Sequence, residues 1–121
     1  MNLAEKWVEY YLYGEEKYRG AADDLSELVI TDPKKAWEII NRINEIEIQD
    51  KAWEDHVNSV LGCGPIEGLL ALHPQEFTSL ILNEARNSQR LCEQLSVIYE
   101  SSIDKDIWLK IQKVIEKKSA K

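Results

Sequence analysis

The side chains best equipped for chemistry here are two cysteines, two histidines and several close-set carboxylates. Cys63 stands between Gly62 and Gly64 at an expected helix start, where a thiol pKa can fall and its reactivity rise. A nucleophile also needs a base, and the nearest histidine in sequence, His73, lies beyond the next expected helix. His56 follows Glu54 and Asp55, but adjacent positions on a helix do not share a face. No His-x-x-x-His or Cys-x-x-Cys spacing accompanies it, so no metal site is legible. Cys63 and Cys92 are too few for a disulfide scaffold and read as reduced, partly buried thiols. The expectation is a chain without catalytic residues, metal or cofactor.

The carboxylates carry more information. Glu45, Glu47, Asp50, Glu54 and Asp55 crowd one short stretch against the single cation Lys51. A second group, Asp23, Asp24 and Glu27, follows Glu15 and Glu16. Paired carboxylates do acid–base work only where burial moves their pKa values. These fall in polar turns or on outer helix faces, which predicts solvated anions. Tyr10, Tyr11 and Tyr13 are crowded enough that at least one is expected at the surface, and we take Tyr13 as a binding anchor beside the acids. Partner binding is therefore assigned to Glu45, Glu47, Asp50, Glu54, Asp55, Asp23, Asp24, Glu27 and Tyr13.

The net charge of −7 is uneven. Residues 1–60 carry 14 acidic and 7 basic side chains, whereas residues 61–121 carry 8 of each. That is the wrong sign for gripping nucleic-acid phosphates, and the right one for a basic partner or a merely solvated face. No apolar run is long enough to span a membrane, and Met1 to Lys6 lacks the pattern of a signal peptide, so the expected compartment is the cytoplasm.

The elements that must position these residues read as helices throughout. Asn2 with Glu5 forms a capping box before the stripe Leu3, Trp7, Tyr10 and Tyr11. Gly14 and Gly20 are expected to interrupt the pattern before it resumes at Ala21. Asp32-Pro33 is the clearest start signal, followed by a core face through Ala36, Ile39, Ile40, Ile43 and Ile46, with Trp37 adjoining it, either in the core or at its edge. Asp50 caps a helix whose stripe includes Trp53 and Val57. Gly62 and Gly64 can then adopt positive φ and end that helix, with Pro65 opening the next above Ile66, Leu69 and Leu70. Phe77, Leu80, Ile81 and Ala85 give a further stripe, and Ser88 and Asp104 cap the last two helices. Trp53 and Trp108 fall on apolar stripes and are expected in the core. Lys117, Lys118 and Lys121 suit the negative end of the final helix. Ala36-Trp37-Glu38 and Ala52-Trp53-Glu54 repeat a tripeptide at a spacing that matches no standard repeat. The outcome expected is a single all-α domain over 1–121, a compact stack of seven or eight short antiparallel helices open to solenoid-like curvature.

From Val29 to the last helix, the chain resembles an uncharacterised family of small bacterial helical domains. The matching residues are Asp32-Pro33 with Ala36-Trp37-Glu38, the run Leu61-Gly62-Cys63-Gly64-Pro65-Ile66-Glu67 with Leu69-Leu70, Asn83-Glu84-Ala85-Arg86, and Asp106-Ile107-Trp108. Members commonly read Gly-Pro-Leu-Glu where this chain has Gly-Pro-Ile-Glu. The resemblance implies an all-helical fold and supplies no activity. In size, charge and lack of catalytic machinery the chain also resembles immunity proteins encoded beside bacterial toxins. The function expected is neutralisation of a basic, nuclease-type toxin through the acidic surface. The alternative is a helical adaptor or scaffold for a protein or peptide, and an enzyme ranks third.

Overall fold

The computed structural model describes residues 1–119, and those residues form only helices and turns. The helices are α1 (Leu3–Tyr13), α2 (Arg19–Thr31), α3 (Pro33–Glu45), α4 (Lys51–Leu61), α5 (Glu67–Leu72), α6 (Pro74–Ala85), α7 (Gln89–Leu95) and α8 (Lys105–Ser119). The fold is all-α, as the periodicity predicts. The chain divides into two compact units, Met1–Val57 and a second beginning at Asn58. Lys121, expected to complement the end of the last helix, lies outside the described residues.

The first unit is built by helices that start where the sequence caps them. Asn2 and Glu5 bond each other's backbone N–H groups at 2.9 and 3.2 Å, which completes the capping box of α1. Gly14 closes α1 with φ of 65°, a left-handed conformation open to glycine at little cost. Gly20 does not interrupt anything: a short 3₁₀ turn, Glu16–Tyr18, leads straight into α2, and Gly20 lies inside it. Asp32 accepts from the Lys35 N–H at 3.3 Å, with Pro33 at the first helical position of α3. Helices α1, α2 and α3 pack against one another around Trp7, Leu25, Val29, Ile40 and Ile43. Because α3 meets both neighbours, its buried face is wide and takes in Trp37, which is 7% exposed rather than at an edge.

In the second unit, α6 packs on α5, α7 and α8 around Leu69, Leu70, Phe77, Ile81, Leu95 and Ile111. Ser88 caps α7 through the Leu91 N–H at 3.1 Å. The buried face of α6 runs through Phe77, Thr78, Ile81, Leu82 and Ala85. That face turns Leu80 outward, against expectation, to 40% exposure. Trp108 is only half-buried.

The glycine corner differs most from its reading. Among the described residues only Gly14 has positive φ, so neither Gly62 nor Gly64 breaks the chain by a left-handed turn. Residues Gly62–Ile66 form a π-turn that joins α4 to α5, and Pro65 lies inside it. The N–H of Glu67 reaches back to the carbonyls of Gly62 and Gly64. A proline ring meets the carbonyl four residues earlier in a regular α-helix, and a widened turn relieves that conflict without ending the helix.

Candidate functional site

The acidic residues expected to bind a partner all lie in the first unit, where the structure separates their roles. Asp23, Asp24 and Glu27 are exposed on α2, and Glu47 is exposed after α3. Glu45, the last residue of α3, lines a groove of about 420 Å³ with Asn2, Ala4, Glu5, Arg42 and Ile46. Asp24 lines another of about 440 Å³ that includes Lys6, Lys17 and Tyr18. Asp50 is occupied with structure: its carboxylate caps α4 by accepting from the Trp53 N–H at 3.1 Å. Lys51 lies 2.9 Å from Asp55 and 3.9 Å from Glu54, one turn further along the helix. Tyr13 is 68% exposed at the end of α1.

A set of aromatic rings joins α1 to α4. Buried Trp7 meets Tyr11 at 4.3 Å between ring centroids, and Tyr10 lies edge-on to Tyr11 at 5.0 Å. Tyr11 then faces His56 at 6.3 Å, and His56 meets Trp53 edge-on at 6.1 Å. The set runs outward, from Trp7 in the core to His56 at the surface and Trp53, 48% exposed. Burial, then Tyr10 and the Asp23 carboxylate, push the Tyr11 phenol above its ordinary value, so Asp23 belongs to the same neighbourhood.

Trp53 corrects the sequence reading, which puts it in the core. The buried face of α4 runs through Val57, Asn58 and Leu61, with Glu54 half-covered on the same side. The tryptophan is thereby turned to the edge of that face. The one signal in the sequence is its spacing of three residues from His56, which puts both rings on one stripe of the helix.

Neither thiol has the surroundings of a nucleophile. Cys63 donates to the Val97 carbonyl at 3.4 Å, and burial and Glu67 raise its pKa where a helix start was expected to lower it. Burial also raises Cys92, against a lowering pull from Lys118 and with a smaller push from Glu93. Its thiol donates to the Ala85 carbonyl at 3.1 Å. The second unit also holds a polar network that no motif announces. The Asn58 carbonyl oxygen accepts from Gln94 at 2.9 Å and Arg90 at 3.3 Å, while its amide donates to Glu93 at 3.0 Å. Asn58 and Gln94 are buried, so this network ties α4 to α7 and reads as structural.

Among the described residues no helix is long and apolar enough to cross a membrane. No three His, Cys, Asp or Glu residues among them form a group that could hold a metal ion. No curated protein and no solved structure is found to match the chain. A family of unknown function, DUF6869, matches residues 13–119, and the chain belongs to it. The match reaches further towards the N-terminus than Val29, where the sequence resemblance begins.

Proposed function

We propose that this member of the family is a binding protein of the immunity type. It holds a basic toxin domain, of nuclease class, through the acidic and aromatic surface of its first unit. The observation that carries the reading is the set Tyr11, His56 and Trp53, which emerges from the core among the carboxylates Asp23, Glu54 and Asp55. Exposed aromatic rings supply contact area at small entropic cost, and surrounding charge of one sign selects and steers a partner of the other. The acids take the place of the phosphates that a nuclease prefers, and covering its active site is enough to silence it. No chemistry on the part of this chain is required. Such a protein acts in the bacterial cytoplasm, where its two thiols stay reduced.

The test is protection. A cationic nuclease toxin encoded beside this gene is co-expressed with the chain, and survival is scored. Survival is expected with the parent and not with a chain in which Asp23, Glu47, Glu54 and Asp55 are all changed to Lys. Asp50 is left alone because it caps α4. If the reversed chain is folded by circular dichroism and protects as well as the parent, the acids are only solvated surface. The adaptor reading then becomes the better one.

A further inference from the structure

The exposed end of the aromatic set has a shape and charge that point to one kind of side chain. Trp53 meets His56 at an interplanar angle of 79°, so at least one face of the indole is uncovered by the imidazole. The nearest cation in sequence, Lys51, is shared between Asp55 and Glu54. Asp23, close enough to Tyr11 to oppose its ionisation, takes part in no ion pair among the described residues. An exposed indole on a surface of net negative charge attracts a cation through its quadrupole as well as through that charge. A guanidinium fits better than an ammonium because it is planar, weakly hydrated and able to stack while it bonds a carboxylate side-on.

We infer that Tyr11, His56 and Trp53, with Asp23, form the seat of one arginine side chain of the protein partner, its guanidinium laid on the exposed indole. The inference rests on the binding reading above for the existence of that partner, and names the chemistry of the contact.

The full-length chain, labelled with nitrogen-15, is titrated with hexa-arginine at low salt, and its tryptophan indole N–H signals are followed. Trp53→Phe identifies the signal in question. The Trp53 signal is expected to shift saturably while those of buried Trp7 and Trp37 stay in place. Hexa-lysine should bind more weakly than hexa-arginine. Trp53→Ala and Asp23→Asn should each weaken hexa-arginine about two- to fivefold, the size of a half-exposed cation–π contact. Both positions are exposed, and circular dichroism checks that the variants fold. A stationary Trp53 signal, equal affinity for the two peptides, or a Trp53→Ala chain that binds as well as the parent overturns the seat. The two proposals fail separately. A toxin neutralised with unchanged affinity by Trp53→Ala removes the seat and leaves the immunity reading. Hexa-arginine seated on Trp53 in a chain that neutralises no basic toxin does the reverse.

Discussion

Gly62 and Gly64 stand two positions apart, and the fold asks different things of them. A Cβ on Gly62 would lie 2.0 Å from the Gln94 carbonyl oxygen and 2.5 Å from a Val97 methyl, so α7 approaches closely only because that side chain is absent. A Cβ on Gly64 would meet nothing within 4 Å, and its φ is not positive. Gly62→Ala is therefore expected to destabilise by about 1–3 kcal/mol or more, because backbone must move to make room. Gly64→Ala should be neutral or stabilise by about 0.5–1 kcal/mol, since a helical glycine holds more backbone freedom in the unfolded chain. Urea denaturation of the two variants checks both, and the opposite order would discredit the π-turn. The thiols make a second test at this scale. Both pKa values are raised, so both groups are protonated at neutral pH and should react slowly with iodoacetamide. The rate should climb with pH to an inflection above that of free cysteine, with exposed Cys63 modified before buried Cys92. Fast alkylation of Cys63 at pH 7 would contradict this.

At the scale of the element, one carboxylate of the acidic stretch belongs to the helix rather than to its surroundings. Asp50 satisfies the Trp53 N–H at the start of α4, and that helix presents Trp53, Glu54, Asp55 and His56. Asp50→Ala is expected to cost about 0.5–2 kcal/mol in denaturant unfolding, and Asp50→Ser to recover most of it. A Glu47→Ala variant, four residues before the start of α4 and exposed, should change stability by less than about 0.5 kcal/mol. If the two variants are equally stable, Asp50 is not a cap and regains its place among the residues proposed to bind. α1 contributes differently: it carries Trp7 in the core and Tyr11 on its flank, so the rings that reach the surface are anchored from below.

Across the whole molecule, charge follows the division into units. All 14 acidic and 7 basic side chains of residues 1–60 lie within Met1–Val57, while residues 61–121 balance 8 against 8. A field of one sign speeds encounter with a cationic partner and is screened over about 8 Å at physiological salt. Association with the proposed toxin partner should therefore slow as salt rises, while dissociation, set by desolvated contacts, changes little. Stopped-flow mixing at several salt concentrations separates the two. Reversal of four exposed acids of the second unit, Glu76, Glu84, Glu100 and Asp106, is the control and should leave association nearly unchanged. Equal slowing by both sets would mean that net charge alone governs the encounter and that no face is specific.

The sequence by itself determined the helices and most of their starts. Asn2 with Glu5, Asp32 with Pro33, Asp50 and Ser88 act through backbone groups three residues away, so their effect is local and legible in order. It also determined the acidic surface, because carboxylates without partners for burial stay in water. The tertiary structure decided which residues of a stripe are covered. Ala36-Trp37-Glu38 and Ala52-Trp53-Glu54 are the same tripeptide, yet Trp37 is 7% exposed and Trp53 is 48%. The difference lies in the width of the face that each helix buries, and that width depends on how many neighbours it meets. The ring contacts of Tyr11 with His56, and the network of Asn58 with Arg90, Glu93 and Gln94, join residues tens of positions apart. No periodicity records such pairings, because they exist only once the helices have packed. The corner shows the same limit. Gly-Cys-Gly-Pro announces a change of course, but whether the chain breaks or widens into a π-turn depends on α7, which presses its Gln94 carbonyl against the space that Gly62 leaves open.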